Sequence, residues 1–302
     1  MRQFLGKQSV NLVLTVLQIV APVFLLAAVG FAWIRLGFEY RIQFVTQLAM
    51  TLAVPCLIFV SLMKTKIDPA ALTALTVSTL LAYAAVTIVV VGVVALLGLD
   101  RRTYAAPLMF GNTGNVGLPL ALFAYGDIGL SYAIIVFAIM AIWSFTFGIW
   151  LVSGGGSITA VVKEPMVAAT ILGALFMFMD WQTPMFLTNA LDLIGQMAIP
   201  LMLITLGVAV ARLNPAGMGK AMVLSIGKLV ICTAIAWVVG RWFTLDPVAF
   251  GVLVLQVATP VAVTSYLIAE KYGADSDAVA ALVVTSSVLS VGCLPLILGL
   301  VL

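Results

Sequence analysis

Gly111-Asn112-Thr113-Gly114-Asn115-Val116-Gly117-Leu118-Pro119 stands in the middle of an apolar stretch that runs from about residue 103 to residue 125. Three glycines, two asparagines and a proline do not suit a regular lipid-facing helix. Proline removes a backbone donor and clashes one turn back, and glycine lowers helix propensity. Irregular backbone at membrane depth is tolerated where it is buried in protein or lines a cavity. The stretch therefore predicts an interrupted helix at the centre of a membrane-embedded core.

That the surroundings are a membrane follows from composition. Of 302 residues, 64% are hydrophobic and 8% charged, against about 25% charged in an average soluble domain. The apolar runs are continuous over about 20 residues, the length of a spanning helix, and do not alternate as barrel strands do. The net charge of +3 is small and has no basic cluster interleaved with aromatics, so nucleic acid is not an expected partner. There is no histidine, and Cys56, Cys232 and Cys293 all lie in apolar runs without ligand spacing. No cofactor or metal is expected.

Ten spans are predicted, at roughly 14–35, 43–63, 70–97, 103–125, 129–152, 165–180, 185–211, 216–241, 247–269 and 277–302. The run after Arg2 and Lys7 is longer than a signal-peptide core and reads as the first helix. Ser153-Gly154-Gly155-Gly156-Ser157 opens a linker at 153–164, which divides the chain into a first unit, 1–152, and a second, 165–302. The halves echo each other. PVFLLAAVG from Pro22 and PMVAATILG from Pro165 stand 143 residues apart, Pro55 and Pro200 stand 145 apart, and Pro119 and Pro260 stand 141 apart. Five spans per repeat is an odd number, so the second copy enters the membrane from the opposite side, giving inverted repeats. Arg35, Arg41, Arg101, Arg102, Lys163, Arg212, Lys220 and Lys271 fall on one side, and Arg2, Lys7, Lys64, Lys66 and Arg241 on the other. The richer side is expected to be cytoplasmic, with both termini outside the cell membrane.

The ninth span carries the counterpart of the first interruption: Gln256-Val257-Ala258-Thr259-Pro260-Val261-Ala262-Val263-Thr264-Ser265. Paired interruptions at corresponding positions of two halves point to a carrier's binding site at their crossing near the midplane. Helix N-termini exposed there bear partial positive charge and bind anions. The alternative is a pair of proline kinks packed closely through glycine. The candidate binding residues are Asn112, Gly114, Asn115, Pro119, Gln256, Thr259, Pro260, Ser265 and Lys228.

All eleven acidic residues fall in loops or near span ends, which argues against sodium coupling through carboxylate ligands. Lys228 is the exception among the cations, near the middle of the eighth span. A charge at that depth costs at least ~2.5 kcal/mol on insertion scales. It is read as a cation that attracts an anionic substrate or caps broken-helix carbonyls, as a candidate proton carrier, since burial favours the neutral form of a lysine, or as a lysine that snorkels or is satisfied by carbonyls.

The run GNTGNVGLPL, with ATPVAVTSYLIAEKYG from Ala258 to Gly273, resembles the auxin efflux carrier family, and the likeness extends over nearly the whole chain. The resemblance implies an all-α membrane protein of ten helices in two inverted five-helix repeats. Helices 4 and 9 would be broken and crossed, as in bile-acid and sodium/proton transporters. It also implies a scaffold of helices 1, 2, 6 and 7, a transport unit of helices 3–5 and 8–10, and a homodimer. Carboxylate binding at the crossing falls by motif position on Asn112 and Asn115. Plant members carry a large central loop and a third-span carboxylate, and this sequence has neither. The function expected is secondary transport of small organic anions such as malonate or auxin-like acids. The alternative is a membrane-embedded sensor using the same pocket. An enzyme is not expected, because no nucleophile–base constellation or nucleotide-binding loop is present.

Overall fold

The computed structural model describes residues 21–22, 24–64, 69–153, 165–212, 218–262 and 264–302. Most of the expected linker at 153–164, the N-terminal residues before Ala21 and the loop cations Lys66 and Lys163 lie outside them. Among the described residues every regular element is helical, and the sole sheet-type pairing is an isolated antiparallel bridge between Gly111 and Val261.

The elements in chain order are α1 (Phe24–Arg35) and α2 (Ile42–Lys64), then α3 (Pro69–Leu96) and α4 (Arg101–Met109). A helical stretch, Thr113–Ser153, follows. At 41 residues it would measure about 60 Å if straight, twice the hydrocarbon thickness. It is not straight: Gly126, at φ 65° and ψ −156°, separates α5 (113–125) from α6 (127–153). The second half continues with α7 (Pro165–Phe178), α8 (Met185–Arg212) and α9 (Met218–Trp242). It ends with α10 (Pro247–Val257), α11 (Thr264–Tyr272) and α12 (Ser276–Val301).

Six stretches among the described residues are long and apolar enough to cross a membrane: α2, α3, α5 with α6, α8, α9 and α12. Ten spans were expected, and the difference has physical causes. Interruption leaves α4, α10 and α11 as pieces of 9, 11 and 9 residues. The described part of α1 begins only at Phe24, and α7 has 14 residues. Apolar side chains on the outer helix faces are bare, as lipid contact requires: Ile88 is 74% exposed and Val223 70%.

Helix ends recur in a regular way. Among the described residues those with positive φ are Gly37, Gly98 and Gly126, then Asp180, Thr244 and Gly273. Taken in order, they pair at separations of 143, 146 and 147 residues. At Gly37, Gly98, Asp180, Thr244 and Gly273 the turn ends a helix and satisfies some of its last carbonyls, whereas Gly126, at ψ −156°, turns the chain. The N-caps follow the same register. Asp100 accepts from the amides of Arg102 and Thr103 at the start of α4, and Asp246 accepts from those of Val248 and Ala249 at the start of α10. These two caps are 146 residues apart. Asp100 also accepts a short bond from the Thr103 hydroxyl, which together with the amide bonds holds its carboxyl below the usual carboxylate range.

Close backbone approach joins α1 to α8. A Cβ at Gly207 would overlap the Ala27 carbonyl oxygen and sit 2.6 Å from its carbon, and a Cβ at Gly30 would overlap the Ile204 carbonyl. Small residues that let backbones touch are the usual means of helix association in lipid. Around this pair, α2 packs on α7, α9 on α12, and α10 on the α5–α6 stretch.

Candidate functional site

The two interruptions meet. The first helix stops at Met109, Phe110 is extended, and the chain re-enters helix at Thr113 through a five-residue π turn, Thr113–Gly117. The second stops at Val257 and resumes at Thr264. Pro260 has no amide hydrogen to continue the first piece. Where they touch, the Asn112 amide donates to the Pro260 carbonyl at 2.6 Å, beside the Gly111–Val261 bridge. Gly111 has to be glycine here, since a Cβ would overlap the Thr259 hydroxyl and lie 3.0 Å from the Thr259 carbonyl oxygen.

Buried backbone groups must find partners, and two further groups of the ninth-span break have one from outside their own helix. Lys228 of α9 donates from Nζ to the Thr259 carbonyl at 2.8 Å. The Val261 amide donates to Ser286 Oγ of α12 at 3.0 Å. Within the break, Thr259 Oγ1 donates to the Gln256 carbonyl at 2.7 Å. On the other chain segment Asn112 Oδ1 accepts from the Asn115 amide at 3.3 Å and so caps α5.

A cavity of about 140 Å³ lies against the crossing. Asn112, Gly114, Asn115, Thr264 and Ser265 form its polar side, with Ser144. Met50, Phe110, Phe137 and Met140 form its apolar side. Three π turns contribute to it: Ala49–Ala53 supplies Met50, Thr113–Gly117 supplies Gly114 and Asn115, and Ser144–Gly148 supplies Ser144. Such bulges turn side chains out of helical register and recur at functional sites. Among the described residues no charged side chain lines the cavity. Asn112 Nδ2 and Asn115 Oδ1 are buried without a hydrogen-bond partner, a costly condition for a polar group unless something else satisfies it. Among the described residues no group of three His, Cys, Asp or Glu side chains stands close enough to hold a metal.

Of the residues named from sequence, Asn112, Gly114, Asn115 and Ser265 line this cavity. Lys228, Gln256, Thr259 and Pro119 sit behind it as buried parts of the crossing. Gln256 is fully buried; its Nε2 donates to the Ala133 carbonyl at 3.5 Å, and its Cδ lies 2.7 Å from where a Cβ on Gly117 would be. Pro260 faces a second, apolar cavity of about 240 Å³ with Val116, Phe24, Leu206 and Val291. Met50, Phe137, Met140 and Ser144 were not singled out from sequence. Met50, Phe137 and Met140 are apolar residues in apolar helices, so their period does not tell cavity from core.

Three cavity residues, Phe110, Ser144 and Ser265, also border a narrow crevice that leads to Arg102. Arg102 donates from Nε to the Val152 carbonyl at 2.9 Å and from Nη2 to the Tyr272 carbonyl at 2.7 Å. It thereby ties the start of α4 to the ends of α6 and α11.

A family model described as membrane transport protein matches residues 15–161 and 156–298. An uncharacterized transporter of Methanocaldococcus jannaschii is 24% identical over 185 residues, 57% of this chain and 59% of that protein. The Rhizobium meliloti protein named "Putative malonate transporter" is 26% identical over 219 residues, 65% of this chain and 67% of that one. The chain thus spans about three-fifths of the first relative's length and two-thirds of the second's. The matched segments cover nearly all of the sequence, including both interrupted helices, and the relatives are transporters rather than enzymes; the chain belongs to the membrane transport protein family, that of the auxin efflux carriers.

Proposed function

We propose that the protein is a secondary carrier of small organic anions, with the substrate carboxylate held at the crossing of the two interrupted helices. The observation that carries this reading is the pair of unpartnered amides, Asn112 and Asn115, in a cavity that no charged side chain lines among the described residues. Asn112 Nδ2 is a free donor, and rotation of the Asn115 amide by a half turn presents its NH₂ in place of Oδ1. The hydroxyls of Thr264 and Ser265 and the positive ends of α5 and α11 add neutral attraction. Donors without formal charge bind an anion and still release it. Phe137, Met140 and Met50 give the remainder of the substrate an apolar wall.

Ten spans in two inverted repeats fit the paired helix ends at separations of 143–147 residues. In this arrangement α1, α2, α7 and α8 form the scaffold, and the other helices form the unit that moves. The crevice at Arg102 then opens on the cytoplasmic side, where the Lys/Arg excess places it. Malonate is the first substrate to try, since a relative carries that name.

The test is uptake of labelled malonate and of aromatic monocarboxylates by proteoliposomes. Saturable flux, competed by unlabelled acid, is expected. Saturable binding by the detergent-purified protein with no flux in liposomes would replace the carrier with a sensor.

A further inference from the structure

The α10 C-terminus ends inside the protein, where water cannot solvate its carbonyls. The last carbonyls of a helix lack intrahelical partners and carry partial negative charge. In carriers built from half-helices, such ends are places where a monovalent cation is coordinated. Here the group presented to that end is a side chain of the protein itself. Lys228 is 3% exposed, and its ammonium donates to the Thr259 carbonyl, two residues beyond Val257. It does not snorkel to an interface. Among the described residues the ion pairs are Arg41–Glu39 and Lys64–Asp192, both exposed and elsewhere, and Lys228 belongs to neither. One turn earlier, Ser225 is bonded to Thr285 of α12 at 2.9 Å, so that hydroxyl pair is occupied by its own contact. The charge is therefore set against backbone dipoles.

We propose that Lys228 is a built-in cation that neutralises the C-terminal end of α10, in the position an alkali-metal ion would otherwise take, so that the crossing assembles without sodium. Nζ, 2.8 Å from the Thr259 carbonyl, stands where a coordinated ion would stand and is fixed to the chain. Removing the ammonium while keeping the fold leaves a cation-sized space lined by the Thr259 carbonyl. A small soluble cation then takes its place. The inference concerns how the crossing is held together and does not depend on which anion is carried.

The test is thermal unfolding of the purified protein, without substrate, in sodium, potassium or choline chloride. Wild type is expected to unfold at the same midpoint in all three salts and to bind no radioactive sodium saturably. Lys228→Ala is expected to fall by about 5 °C in choline. It should regain at least half of that loss, saturably, on addition of sodium or ethylammonium. Lys228→Met, which fills the space without charge, should fall and not be rescued by either ion. A saturable sodium shift in wild type overturns the proposal, as does Lys228→Ala that is as stable as wild type or loses stability that neither ion restores. Should the variants fail to fold, the sodium measurements on wild type decide alone. Anion flux is not read in any arm, so failure of the carrier reading leaves this result intact.

Discussion

Asn112 and Asn115 differ in what each has already committed to the fold. Asn112 uses its amide on Pro260 and its Oδ1 as a helix cap, leaving Nδ2 for a ligand. Asn115 gives its backbone amide to that cap and keeps its side chain uncommitted. Asn115→Ala should therefore spare the fold while removing a donor to a charged acceptor, a loss of about 1.5–3 kcal/mol. Expected is a fall in anion flux of about 10- to 100-fold with the unfolding midpoint unchanged, checked by parallel uptake and melting measurements. Unchanged flux would take Asn115 out of the site. Both asparagines were legible in the sequence, because a polar side chain between glycines at membrane depth has few structural reasons to be there. Lys228 was legible as an anomaly, but its partner was not. A backbone carbonyl has no sequence signature, so only the structure connects Lys228 with Thr259.

At the scale of elements, what the sequence conveyed best was interruption. Glycine and proline at mid-span break the hydrogen-bond ladder wherever they occur, and both breaks appear where GNTGNVGLP and ATP predicted them. It conveyed lengths less well. Span counting assumes unbroken apolar helices, whereas α4 and α11 are short pieces; the division of α5 from α6 at Gly126 falls where the spans 103–125 and 129–152 put it. It also gave no hint that α1 and α8 touch backbone to backbone, since a glycine in an apolar run serves lipid-facing and packed helices alike. That contact carries a prediction. Gly207→Ala forces a methyl into the Ala27 carbonyl and should cost about 1–3 kcal/mol. The control is Gly219→Ala in α9, where nothing lies within 4 Å of the added carbon; it should leave the midpoint unchanged or slightly raised. Thermal melts of the two variants side by side are the measurement, and equal midpoints would mean that α1 and α8 stand further apart.

For the whole molecule the proposal with most at stake is inversion. The turns at Gly126 and Gly273 are equivalent in register, 147 residues apart, yet inverted repeats put them on opposite faces of the membrane. Asp127 and Asp277 are both exposed beside these turns. With Cys56, Cys232 and Cys293 replaced by serine, Asp127→Cys should react with an impermeant maleimide added to intact cells. Asp277→Cys should react only after the cells are opened. Labelling of both from one face would require an even number of spans between them and would remove the repeat. Composition alone established the membrane, because 8% charged residues cannot clothe a water-soluble surface. Sidedness had to be read from a few loop cations, a weaker quantity than the geometry of the turns.

The bonds that secure the crossing have a mechanical implication. Asn112 to Pro260, Lys228 to Thr259 and Ser286 to Val261 all run among α5, α9, α12 and the two breaks, and none reaches α1, α2, α7 or α8. The one side chain that α2 lends to the cavity is Met50, an unbranched thioether that adapts to changing neighbours. A rigid slide of the crossing past α2 would break no polar contact at its centre. Such a slide would pass over a largely apolar surface, the Ser61–Ser131 hydroxyl contact between α2 and α6, at 3.4 Å, being a polar exception.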